Sequence, residues 1–215
     1  MAFLLAALLA GSCLSASDEP VRTDGSRRAA DDAASPSPAP HLGVSGDNSA
    51  GTSAKTKGSV DSTYTELAED ACEDADSDKD EEWTVQKCKG ILGYELIVSE
   101  GDLRQTIDVV SPAGKKSELD LWNVVSNGFS TVGDKAEWRV TKKNGKSEPF
   151  ALIVRYNVNE DPDNTEKITS YLTVSKITAT GACVTDIVKP SKKANEIART
   201  LADSARKKPC LGPKN

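Results

Sequence analysis

The strongest constraint on this chain lies between residues 136 and 158. Phe150, Leu152, Val154, Tyr156 and Val158 alternate with Ala151, Ile153, Arg155 and Asn157, the period-two spacing of a strand with one face committed to a core. The stretch 136–141 reads likewise, and Asn144-Gly145 lies between the two. Asn and Gly accept the positive φ angles of a type I′ turn, so these runs should pair as a hairpin. Glu160-Asp161-Pro162-Asp163-Asn164 marks a second, longer turn leading into a strand over 168–177, which extends the hairpin to an antiparallel meander.

Further period-two segments run over 83–88, 94–99, 103–110 and 183–188. The segment 121–129 is ambiguous, because Asp120 equally suits the cap of a single helical turn. One helix closes the chain. Ala194, Ile197, Ala198, Leu201, Ala202 and Ala205 fall at helical spacing after Ser191, an expected N-cap, and Pro209 with Gly212 stops continuation. The spacing predicts a helix over 192–206 with a narrow, small apolar face that can lie close on a sheet. The fold class expected is α+β: a mainly antiparallel β-sheet or partly closed barrel, with one C-terminal helix packed on it.

The N-terminus has a different character. Phe3 to Leu9 reads FLLAALL, followed by the small residues Ala10, Gly11 and Ser12, which is the apolar core and cleavage region of a secretory signal. A membrane helix needs about 20 apolar residues. No Lys or Arg precedes Arg22, so either the true start lies upstream or the signal is atypical. Two cleavage sites compete within a signal expected over 1–17. Ser15-Ala16-Ser17 would release the protein, whereas Ala10-Gly11-Ser12-Cys13 resembles a lipobox, which would place lipid on Cys13, although Leu9 sits one residue too early for it. From 18 to 61 the chain is rich in Ser, Ala, Gly, Asp and Pro and holds no aromatic residue, the composition of a disordered tether. A single domain is expected over 62–215.

Export agrees with the cysteine count. Apart from Cys13 there are Cys72, Cys88, Cys183 and Cys210, an even set suited to two disulfides in an oxidising compartment. Four cysteines allow three pairings, of which the nearest-neighbour one, Cys72 with Cys88 and Cys183 with Cys210, closes two short loops. No C-x-x-C motif occurs, and the single histidine, His41, lies far from all four in sequence, which argues against zinc.

Between Glu66 and Glu82 stand ten acidic side chains and one Lys, read as a solvated acidic loop. Asp74, Asp76, Asp78 and Asp80 alternate, so an extended chain would place four carboxylates on one face as candidate cation ligands. An EF-hand starting at Asp74 fails, because Lys79 stands where Gly is needed and Val85 where a bidentate Glu is needed. The remainder, 83–215, carries 21 basic and 16 acidic residues, with eight basic ones from Lys189 onward. An acidic loop lying against a basic helix face accounts for both, and the tail is not expected to bind nucleic acid.

Trp83, Trp122 and Trp138 are read as core or cross-strand partners, with a sugar platform as the alternative. Arg104 and Arg155 lie on strands otherwise rich in apolar residues, so each should pair with Glu95, Asp102 or Glu137, or else mark a binding locus. Catalysis through Ser-His-Asp or Cys-His needs a positioned imidazole, and His41 lies in the tether. Gly90, Gly93 and Gly101 match neither phosphate-cradling pattern, and no cofactor is expected. Glu100 with Asp102 reads as a turn between strands rather than a hydrolytic pair.

The succession WTVQKCKG at Trp83 to Gly90, GYELIVSEGDLR at Gly93 to Arg104, EWRV at Glu137 to Val140, KSEPFALIVRY at Lys146 to Tyr156, 181–188 and 195–210 resembles a group of uncharacterised exported bacterial proteins. The resemblance covers 62–212. It implies a periplasmic or secreted setting and carries over no activity, ligand or catalytic residue. Two classes of function lead: a non-catalytic binding domain for an envelope or extracellular protein, touching a membrane only through a lipidated Cys13, and a carboxylate-dependent periplasmic hydrolase. An acidic cation-binding module is the third.

Overall fold

The computed structural model describes residues 59–77 and 83–214. The signal, Cys13, most of the tether with His41, and Asp78 and Asp80 lie outside the described residues. Ten strands are present among those described: β1 (Ser59–Glu66), β2 (Cys72–Ser77), β3 (Trp83–Lys89), β4 (Glu95–Gly101), β5 (Arg104–Val110), β6 (Lys116–Glu118), β7 (Phe129–Lys143), β8 (Lys146–Asn159), β9 (Ile168–Thr178) and β10 (Gly181–Val188). A one-turn helix α1 (Leu121–Val124) and a C-terminal helix α2 (Ala194–Ser204) complete the order, the latter continued by a 3₁₀ turn Ala205–Lys207. The fold is thus α+β, mostly antiparallel sheet, with the helix at the C-terminus.

The sheet has two wings. One wing runs β1-β7-β8-β9-β10, the other β2-β3-β4-β5 with β6 beside β5, and they are joined where Arg104 of β5 pairs parallel with Ser130 of β7. Strand β7 makes this possible by changing partners along its length. Its start pairs with β5, while residues 135–142 pair with β1. The switch falls at an irregularity between Val132 and Ala136, a bulge of the kind that bends a strand and increases its twist. Gly133 sits there because the Arg155 side chain crosses the bend, and a Cβ would come within 2.8 Å of it.

The main core lies between the wings. Leu96, Val98, Ile107 and Val109 from the second wing meet Trp138, Leu152, Val154 and Tyr156 from the first. Trp138 is 0% exposed, and its Nε1 donates to Thr65 Oγ1 at 2.9 Å, which satisfies the indole and ties β1 in place. The Tyr156 hydroxyl donates to the Gln105 carbonyl at 3.0 Å and shares a 2.7 Å bond with Ser130 Oγ, so it pins the seam between β5 and β7. Burial pushes this phenol up to about 12.

A second, smaller core lies on the other face of the first wing. Phe150, Ala151, Ile153, Leu172 and Val174 receive Ala198, Ala202 and Ala205 of the helical segment. These small residues allow the close approach expected of a narrow apolar face. Two charged contacts flank the alanines: Arg139 forks onto Asp203 at 2.8 and 2.9 Å, and Arg199 pairs with Glu137 at 2.7 Å. Strand β6 packs against β10 without forming a ladder, so the sheet is not closed into a barrel.

The disulfides join Cys72 to Cys88 and Cys183 to Cys210. Cys72 and Cys88 are opposite each other in the β2–β3 ladder. The second bridge lays the C-terminal tail along β10, where Leu211 N–H also donates to the Val184 carbonyl at 2.8 Å.

Several expectations need correction. Strand β1 begins at Ser59, inside the stretch assigned to the tether. The expected acidic loop contains a 3₁₀ turn, Glu69–Ala71, and all of β2. Among the described residues the cations of the tail do not rest on that acidic segment; Arg199, Arg206 and Lys208 pair with Glu137, Glu148 and Asp186 of the first wing. Lys193, not Ser191, holds the N-cap of α2, and no side chain caps it. Asp120 does precede α1, but in left-handed conformation, where it accepts a hydrogen bond from Asn123 Nδ2 at 2.7 Å rather than capping the backbone.

Candidate functional site

The β4–β5 hairpin turns on two residues, Asp102 and Leu103, at φ 51° and 58°. Tight hairpins favour Asn-Gly at such positions, since an L side chain in the left-handed region costs about 1–2 kcal/mol. Leu103 is 64% exposed, so burial at this tip does not offset that cost. The tip is tied to its neighbours nonetheless. Arg104 pairs with Asp102, its Nε donates to the Asn127 carbonyl at 2.8 Å, and its guanidinium lies 5.2 Å over the Phe129 ring. Ser130 N–H donates to the Leu103 carbonyl at 3.0 Å.

Beside Leu103 stand Phe129, 40% exposed, and Ile168, 54% exposed. With Ser130, Asn159 and Thr165 they line a shallow hollow of about 260 Å³. A larger cleft of about 560 Å³ adjoins it, opened by the bend of β7 away from β5. Its acidic lining comes from Glu69, Asp74, Glu100 and Asp134, and among the described residues no basic one lines either space. Glu100, Thr131 and Asn157 belong to both. Glu100 is fixed at this junction. Gln105 Nε2 donates to its Oε2 at 2.7 Å, while Gln105 Oε1 accepts from Val132 N–H at 2.8 Å. Among the described residues none of the four carboxylates takes part in an ion pair.

The acidic candidates from the sequence are not assembled into a cation site. Asp74 lines the cleft, but the ladder slips between Asp74 and Asp76, which breaks the alternation, and Asp78 and Asp80 fall outside the described residues. Among the described residues no three of His, Cys, Asp or Glu converge as metal ligands. Glu100 and Asp102 also part company, one bonded to Gln105 and the other to Arg104 at the tip.

The three tryptophans divide. Trp138 is core, tilted against Tyr94 at 5.9 Å. Trp83 and Trp122 meet edge-on at 5.7 Å, with Trp122 Nε1 donating to the Gln105 carbonyl at 2.7 Å. The Trp83 ring lies on Gly101, where a Cβ would stand 2.2 Å from it. Beside this pair Asp108, Lys116, Glu118 and Asp120 line a pocket of about 220 Å³. Burial pushes the Asp108 carboxyl up, and the Lys116 ammonium at 2.8 Å offsets part of the shift.

Arg104 finds one of its expected partners, Asp102. Arg155 does not: its guanidinium donates to Ser170 Oγ at 2.8 Å, because Glu137 is taken by Arg199. Burial alone would raise the Glu137 carboxyl, but hydrogen bonds from Arg199 and Ser62, with the Arg199 charge, outweigh it and hold the group below its usual value.

The apolar tip was not singled out from the sequence. Its signal was the pair Asp102-Leu103 at a hairpin turn, where a large apolar residue replaces the Gly such turns prefer. Comparison with family models, with curated proteins and with solved structures finds no match to this chain.

Proposed function

We propose that this chain is an exported bacterial envelope protein whose β domain is a non-catalytic binding module, presenting the β4–β5 tip to another envelope or extracellular protein. The observation that carries this reading is the exposure of Leu103 in an unfavourable backbone conformation beside exposed Phe129 and Ile168. Clustered exposed apolar side chains on an otherwise polar rim are the usual mark of a contact surface. The two disulfides suit an oxidising compartment, and the N-terminal apolar run supports export, with release or a lipidated Cys13 as its two ends. Incorporation of a labelled fatty acid that disappears in Cys13→Ser identifies the anchored form.

The test is affinity capture with the full chain, both bridges formed, from native envelope and culture fractions. A protein retained in near-equal amount by the native chain and lost with Leu103→Asp supports the module. Equal retention by both removes the tip from consideration. A second reading, a carboxylate-dependent hydrolase, is favoured by one observation: the raised Asp108 carboxyl beside Trp83 and Trp122. It requires turnover on a glycan or ester panel that Asp108→Asn abolishes.

A further inference from the structure

We infer that the partner contributes an extended peptide segment, with an apolar side chain seated on Leu103, Phe129 and Ile168 and a Lys or Arg side chain, a few residues along, entering the cleft beside Glu100. This rests on the binding-module reading and adds the chemistry of what is bound. The apolar hollow, about 260 Å³, is smaller than the ~300–1,000 Å³ typical of small-molecule sites, so it suits one side chain of a larger partner. The adjoining cleft supplies the second requirement. Four carboxylates line it, and among the described residues no basic one does and none of the four has an ion-pair partner. Such a lining favours a cationic side chain and repels phosphate or carboxylate ligands.

Glu100 connects the two halves. It lines both spaces, and the Gln105 bridge to the β7 backbone holds one of its oxygens, so the carboxylate is oriented before a partner arrives. Preorganised acceptors lose less freedom on binding, which favours an ammonium or guanidinium at this point. A divalent cation is the poorer occupant, because no three ligand side chains converge among the described residues. The apolar seat and the acidic cleft adjoin, so a single continuous segment can reach both.

The experiment uses a random heptapeptide library displayed on phage, selected on the immobilised full chain with both disulfides formed. Parallel selections use Leu103→Asp and Glu100→Gln. Leu103 is exposed, and Asp tolerates the left-handed region better than Leu, so the first variant should fold; a melting temperature no lower than that of the native chain checks this. The result expected is enrichment of sequences holding Lys or Arg within a few residues of Leu, Ile or Phe. A fluorescent copy of the most enriched peptide should lose all measurable binding to Leu103→Asp and about tenfold in affinity to Glu100→Gln, the latter loss shrinking as salt is raised. Enriched peptides that need Leu103 but are neutral or acidic, and bind Glu100→Gln equally, overturn the cationic inference while leaving the module standing. No enrichment beyond that on Leu103→Asp overturns both. Self-association of the chain that Leu103→Asp abolishes, without peptide enrichment, assigns the tip to a second copy and also overturns it.

Discussion

The wing of β1 and β7–β10 is covered on both faces in its central strands, by α2 on one side and the main core on the other, whereas the wing of β2–β6 gives only one face to the core. The burial pattern records the difference. Pro149 to Val154 of β8 are buried without interruption, while β4 largely alternates buried with half-buried residues. A doubly covered strand must be apolar throughout, and a singly covered one can spend every second residue on solvent or on a partner. The two buried carboxylates follow the same division. Glu137, under the helix, is held below its usual value by Arg199 and Ser62 against the effect of burial, while Asp108, in the other wing, is pushed up by burial despite Lys116. Apolar coverage is thus greater in one wing, and the exposed tip stands at the seam between the two.

The comparison breaks most sharply at Trp138. Trp138→Ala should cost about 4 kcal/mol by urea unfolding, whereas Trp122→Ala, on α1 against β5 of the half-covered wing, should cost clearly less; equal losses would mean that the wings share the load. The disulfides come next. Removing Cys72–Cys88 as a double Ser variant should cost about 3 kcal/mol, and removing Cys183–Cys210 about half a kcal/mol more, because its sequence separation is 27 against 16. Arg139→Met should cost about 2 kcal/mol by freeing Asp203, and a loss near zero would show that the alanine face alone holds α2. Leu103→Asn should raise stability by about 1 kcal/mol or less, by relieving the left-handed turn, while abolishing retention of a partner.

The smallest effect separates the two carboxylates by pH. Glu137 is lowered in the fold, so its contribution is complete above the unfolded value of ~4.3 and is lost as pH falls through its folded value. Asp108 is raised, so its ionised form opposes folding at neutral pH, and that penalty is relieved as pH falls through its folded value. Stability curves of Glu137→Gln and Asp108→Asn should therefore diverge from the native curve in opposite directions, the first lower and the second higher at neutral pH.

The apolar strands and the hairpin at Asn144-Gly145 were legible because their side chains alternate against a core, and Asn144 and Gly145 take the positive φ angles anticipated. Strands β1 and β2 were not. SVDSTYTE and CEDADS offer no apolar stripe; one is held by a ladder to β7 and the Trp138–Thr65 bond, the other by its ladder to β3 and the Cys72–Cys88 bridge. The helix read correctly from its alanines, but its charge partners did not, since Arg199 meets Glu137 only after residues 62 apart are folded together. The site was least legible for the same reason: Leu103, Phe129 and Ile168 belong to three separate strands or turns, and nothing local announces that they meet.

Strand β7 also sets an order of events. Glu66 pairs with Lys135 and Ser59 with Lys142, so β1 has no ladder to join until the chain has been made past Lys135, and that ladder is complete only at Lys142. The β2–β3, β3–β4 and β4–β5 pairs need only near neighbours and can form before it, with Cys72 and Cys88 already in reach of each other. A chain made from its N-terminus therefore carries β1 unpaired while residues 67–134 are made, and its mostly polar sequence offers other strands little apolar face in the meantime.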